Sequence, residues 1–137
     1  MKEDIMIGDY LRTNKGTVIK VESISTKHQN RKVGYHLPDD QYHIKYVRLS
    51  QCYPILLTEE FLLDNGFEKK DNNRYYKGEI FKWSVDVSLF VDGSFIMVTN
   101  DLDHRGVNNA HICDNGYVHI LQHALRMCGI EMSFEVE

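Results

Sequence analysis

Hydrophobic and polar positions alternate with period two over residues 42–46 and 81–89 and turn to a helical period in two places. From the N-terminus, Ile7–Thr13 predicts a strand, Asn14-Lys-Gly16 a turn, and Thr17–Ile24 a returning strand. A polar loop over residues 25–32 precedes a short strand at Val33–Leu37 and a turn at Pro38-Asp-Asp40. Tyr42, Ile44 and Tyr46 then alternate with His43 and Lys45, the pattern of a half-buried strand. Short strands separated by turns every eight to twelve residues predict a small barrel over residues 1–50.

The second half, 51–137, has a different rhythm. Pro54 interrupts a connector at residues 50–57. Thr58 is a good helix N-cap, followed by Glu59 and Glu60 in the first turn, and Asn65-Gly66 stops the helix. A polar loop is expected over Lys69–Arg74. Phe81, Trp83, Val85, Val87 and Leu89 alternate with polar residues in the best strand pattern of the chain. Asp92-Gly93 predicts a two-residue hairpin turn into Ser94–Thr99. Residues 100–113 are expected as a long polar loop. Then comes the clearest amphipathic helix, with Tyr117, Val118, Leu121, Ala124, Leu125 and Cys128 on one side. Asp114 or Asn115 can cap its start, and Gly129 can end it in the left-handed conformation. Its apolar side is expected to cover the odd face of the 81–89 strand, and a last strand is expected at Ile130–Val136. The fold class that follows is α+β: an N-terminal small β-barrel, then an antiparallel sheet covered by two helices.

Composition adds limits. The 137 residues are 42% apolar and 26% charged, which suits one domain or two very small ones. The formal charge of −4 argues against a general nucleic-acid binder, though a local basic patch is compatible with it. No stretch is long and apolar enough for a signal peptide or a membrane span, so a cytoplasmic protein with no membrane partner is expected. Cys52, Cys113 and Cys128 are odd in number and widely spaced, which fits buried or idle thiols better than disulfides or a zinc knuckle.

Three stretches carry candidate chemistry. His119, Gln122, His123 and Arg126 form one stripe of the second helix, at the i, i+3, i+4, i+7 spacing. Two histidines four apart can share a metal ion, but a zinc protease needs a glutamate directly after the first, where Ile120 stands. All four side chains can donate, so a phosphate or nucleotide suits them better. A solvated helix face accounts for the same pattern. In the 100–113 loop, Asp101, Asp103, His104 and His111 supply oxygen and nitrogen ligands for a divalent metal, although their spacing matches no calcium or zinc pattern. Lastly, Lys27, Arg31 and Lys32, with Lys15, Lys20 and Arg12 nearby, make a basic loop beside Tyr35 and Tyr42, whose rings can stack a base.

The opening Ile7-Gly-Asp-Tyr, with Lys15-Gly-Thr17 and the β-branched run after it, is similar to SH3-like barrels of translation and transcription factors. The set Gly8–Thr13, Lys15–Val21, Pro54–Phe67 and Tyr117–Gly129 resembles an uncharacterised family of small proteins carried by bacteriophages and mobile elements of gut anaerobes. That resemblance brings no catalytic residues. It implies a phage-borne accessory protein that counters host defence by binding a host protein or a nucleotide signal.

The function expected is therefore a non-enzymatic binding protein that takes a host factor or sequesters a small anionic, nucleotide-like ligand. A metal-dependent hydrolase of nucleotides and a nucleic-acid-binding module using the barrel loops are the alternatives. No resident cofactor is expected. A homodimer paired through Ile130–Val136 is compatible with the pattern.

Overall fold

The computed structural model describes residues 5–25, 31–80, 82–90, 93–102, 106–111 and 116–136, with the backbone alone for 106–111. The chain divides into two compact units, 1–55 and 56–137. The class is α+β: the described residues form three antiparallel sheets and two α-helices, and among them no sheet closes as a barrel.

The first unit holds two three-stranded sheets. In one, β1 (Tyr10–Thr13) lies between β2 (Val18–Lys20) and β6 (Cys52–Pro54). In the other, β4 (Lys32–Leu37) lies between β3 (Ser23–Ile24) and β5 (Asp40–Arg48). The SH3-like closure expected for residues 1–50 is not among their strand pairings. Leu11, Ile19, Val21, Val33, Leu49 and Cys52 form one core, with Ile24, Tyr35 and Val47 packed against it. Pro54 does not break this unit. It pairs with Leu11 in β6, an edge strand, where the ladder tolerates a residue without an N–H.

One expectation is reversed here. Tyr42, Ile44 and Tyr46 are 86%, 49% and 62% exposed, not half-buried. The opposite side of the sheet, through Val33, Tyr35 and Val47, is what meets the core. Gly34 explains how Tyr46 and Ile44 lie so close over the sheet. A Cβ at position 34 would sit 3.1 Å from the Tyr46 ring and 3.3 Å from Ile44 Cγ2.

The second unit is a five-stranded antiparallel sheet in the order β11-β10-β9-β8-β7. These are β7 (Glu68–Lys69), β8 (Arg74–Ile80), β9 (Trp83–Phe90), β10 (Gly93–Asn100) and β11 (Gly106–His111). The alternation of β9 puts Val85 and Val87 opposite Val98 and Ile96, all fully buried. Helix α2 (Val118–Met127) packs against β10 and β11, and α1 (Glu59–Asp64) against β7. The Thr58 hydroxyl accepts from the Phe61 amide at 3.1 Å, as the cap pattern required. Gly129, at φ +76°, closes α2 in a Schellman turn, with Gly129 N donating to Arg126 O and Ile130 N to Leu125 O. The proposed caps Asp114 and Asn115 lie outside the described residues.

Four details differ from the pattern reading. Gly93 pairs with Phe90, so it opens β10 and is not the second turn residue. The 100–113 stretch contains β11, which pairs with β10 from Ser94 to Thr99. Residues 74–80 form a full strand paired to β9. Residues 130–136 form no strand; the segment is instead pinned to the end of α1. There Asn65 Nδ2 donates to Glu135 O at 2.9 Å, and Glu135 N donates to Asn65 Oδ1 at 2.8 Å. Phe134 packs on Phe61 with ring centroids 5.4 Å apart.

Candidate functional site

The described polar groups converge on a cleft in the first unit, and the β1–β2 turn builds one of its walls. The Thr13 hydroxyl accepts from the amides of Lys15 and Thr17, and Thr13 O accepts from Gly16 N. Gly16 takes φ +83°, a conformation that L side chains rarely adopt. Asn14 N donates to Gln51 O at 2.8 Å, which ties the turn to the residue before β6. The other wall is the paired ends of β4 and β5, where Lys32 sits opposite Arg48 and Val33 opposite Val47.

Between these walls lies a hollow of about 420 Å³. Its cations are Lys15, Lys32 and Arg48, its rings Tyr35 and Tyr46, and its neutral polar groups Thr13, Asn14, Thr17 and Gln51. Among the described residues, no Asp or Glu lines it. None of the three cations forms an ion pair among the described residues. The size falls within the range of small-ligand sites, and the charge is of one sign.

The first unit is basic as a whole. Residues 1–55 carry nine Lys and Arg against six Asp and Glu, a formal +3. Residues 56–137 carry seven against fourteen, a formal −7. The overall −4 hides this division.

The sequence candidates are distributed as follows. Of the basic-loop set, Lys32 and Tyr35 line the cleft, joined by Lys15. Arg31 is partly buried beside it, its carbonyl accepting from Leu49 N at 2.8 Å. Lys27 lies outside the described residues. Tyr46, Arg48, Thr13, Asn14, Thr17 and Gln51 were not singled out by sequence. Tyr46 was assigned to the inside of its strand, and the other five are ordinary surface residues until the two walls meet.

The helix stripe sits elsewhere, in the second unit. His119 and Gln122 are buried, so this is not a solvated face. The His119 ring stacks on Tyr117 at 5.7 Å and meets His123 edge-on at 5.5 Å. Arg126 Nε donates to Glu131 Oε1 at 3.1 Å. The stripe thus packs into its own unit instead of facing outward.

Of the loop set, Asp101 is engaged: its carboxylate accepts from Ser84 Oγ at 2.6 Å, which in turn accepts from Tyr76 OH at 3.1 Å. Asp103, His104 and the side chain of His111 lie outside the described residues. Among the described residues, no three of His, Cys, Asp and Glu come together as a metal set. Cys52 is buried, and burial raises the pKa of the Cys128 thiol, so neither is an activated nucleophile. A second hollow, about 400 Å³, is lined by Glu68 and Glu79 and by Lys77, whose ammonium already donates to Asn65 O at 2.6 Å. It does not share the single-signed character of the first.

Among the described residues, no helix is long and apolar enough to cross a membrane. Neither family models, curated proteins nor solved structures give a match to this chain.

Proposed function

We propose that this protein is a non-enzymatic binding protein whose first unit takes a small anionic, nucleotide-like ligand in the cleft between the β1–β2 turn and the ends of β4 and β5. One observation carries the reading: three cations and two tyrosines line a hollow of ligand size, with no acidic residue among the described residues of its lining. Lys15, Lys32 and Arg48 are the phosphate partners, and Arg48 has the fork geometry that matches phosphate oxygens in pairs. Tyr46, largely exposed, is the ring available to a base, while Tyr35 packs against the core from the other side of the sheet and closes the lining. Thr13, Thr17, Asn14 and Gln51 bring neutral donors and acceptors to orient it.

Binding without turnover fits the same lining. Among the described residues it holds no carboxylate, imidazole or thiol, the groups from which general acid–base and thiolate chemistry is usually drawn. A phage-borne role in sequestering a nucleotide signal, which the sequence resemblance implies, is compatible with this site and forms part of the proposal.

Isothermal titration with nucleoside mono- and diphosphates at low salt tests it. Saturable binding is expected. Each charge-assisted contact contributes roughly 1.5–3 kcal/mol, so Lys32→Ala with Arg48→Ala should weaken binding at least tenfold. Arg74→Ala, on the second unit, should leave it unchanged. Binding that persists undiminished in the double variant refutes the site, and the absence of saturable binding refutes the ligand class.

A further inference from the structure

The cleft does not end where its lining ends. Tyr46 lines it and is also the last member of a row, Tyr42, Ile44 and Tyr46, that β5 leaves in solvent. Ile44 and Tyr46 both overlie Gly34, so they share one side of the sheet. Tyr42 follows two residues on and is the most exposed of the three. Residues two apart on a regular strand are about 7 Å apart, the step from Tyr46 to Ile44. The β4–β5 register slips beyond Lys45, so Tyr42 extends this exposed surface across an irregular stretch and not by a second even step. A single nucleotide held in the cleft would leave Tyr42 and Ile44 in water.

We propose that the ligand is a single-stranded nucleic acid, one nucleotide of which sits in the cleft while the neighbouring bases stack along Tyr46, Ile44 and Tyr42. This rests on the reading of the cleft as a phosphate and base site. Ring platforms beside a positive groove are what sequence-tolerant single-strand binding requires: the groove follows the phosphates and the rings take the bases. The charge is complementary, since the unit is basic and Lys15, Lys32 and Arg48 stand at one end of the row. Two carboxylates of this unit are already engaged. Asp40 accepts from the His43 ring at 3.0 Å, and Glu22 is paired with His36.

The backbone of β5 argues against the other occupant of an exposed edge, a strand from a second protein. The β4–β5 register slips between Tyr35↔Lys45 and Leu37↔Asp40. Such a bulge bends the edge and interrupts the row of N–H and C=O groups that strand addition needs. The side chains, not the backbone, are what this surface presents.

The test is fluorescence anisotropy of the full chain with end-labelled rU10 and dT10 at low salt, alongside titration with UMP, for wild type, Tyr42→Ala and Lys32→Ala. Tyr42 lies outside the cleft lining and is solvent-exposed, and a thermal melt checks that its replacement leaves the fold intact. The proposal predicts that a decamer binds at least tenfold more tightly than UMP, and that Tyr42→Ala weakens the decamer roughly 5- to 100-fold while leaving UMP unchanged. Lys32→Ala should weaken both. Whichever decamer is the tighter names the preferred sugar. A decamer that binds no better than UMP, with Tyr42→Ala silent, overturns the proposal and leaves the cleft as a free-nucleotide site. Loss of every nucleotide interaction overturns both. Binding to anionic phosphatidylserine vesicles with no decamer binding overturns it in favour of a lipid surface.

Discussion

Removing Lys32 should change how single-strand binding responds to salt, not only how tight it is. Three cations line the cleft, so at most three phosphates of a bound strand are neutralised there, that of the cleft nucleotide and those flanking it. For single strands log K falls with log salt at a slope of roughly −0.7 per neutralised phosphate, so three give a slope near −2. Raising salt from 50 to 200 mM, a fourfold step, should then weaken binding of the wild type about 20-fold. With Lys32→Ala two contacts remain, the slope falls to about −1.4, and the same step costs only about sevenfold. The two proteins should therefore differ most at low salt and converge as salt rises. Anisotropy with dT10 at four salt concentrations measures both slopes. A stacking variant such as Tyr42→Ala should lower affinity at every salt without changing the slope, because it removes no charge. If the wild-type slope is shallower than −1, or if Lys32→Ala lowers affinity with the slope intact, the cations are not meeting phosphate and the electrostatic argument fails.

Two further predictions concern the second unit. Asn65→Ala removes both bonds to Glu135 and the bond from Asn65 Nδ2 to Phe61 O; the groups involved are partly solvated, so a loss of about 1–2 kcal/mol is expected in urea unfolding. Faster amide exchange at Glu135 should accompany it, and unchanged protection there would show that Phe134 alone holds the segment. Tyr75 is buried, and burial first, then its bond to Glu59, raises its pKa above the ordinary value. A raised pKa means that stability is full below about pH 10 and falls as pH climbs through the folded value, where the buried phenol must ionise. Tyr75→Phe should therefore lose less stability than wild type between neutral pH and pH 11, and parallel losses in the two proteins would refute this.

The helices were legible because their ends are marked by residues with one physical use. Thr58 accepts a backbone N–H that would otherwise have no partner in the first turn, and Gly129 takes a φ that other residues avoid. Strands are marked less well, because pairing belongs to two segments at once. Arg74–Ile80 contains a glycine and no clean alternation, and it is a strand because β9 lies beside it. Gly106–His111 is similarly supported by β10. The last segment shows the converse. Ile130 and Phe134 are buried while Glu131, Ser133 and Glu135 are exposed, so its alternation was real. Alternation reports which side chains are inside, however, and here a side-chain amide takes the place of a neighbouring strand. In β5 the ambiguity was which side faces in. Two tyrosines and an isoleucine favour the core by type, but Val33 and Val47 on the other side had already filled it.

The cleft shows why whole-chain charge is a weak guide to partners. A formal −4 was the argument against nucleic acid, and it holds for a protein that must attract phosphates over its whole surface. A bound ligand experiences much less of the molecule than that. At physiological salt, exposed charges more than about 8 Å apart are largely screened from one another. The cations that matter to a phosphate in the cleft are Lys15, Lys32 and Arg48, which a whole-chain sum does not single out. Sequence could supply Lys15, Lys32 and Tyr35 as types worth watching. It could not bring in Arg48 and Gln51, because nothing in their local pattern says that β6 returns to pair with β1 and closes one wall. That closure depends on a strand pairing between residues some forty apart, and the functional reading depends on it in turn.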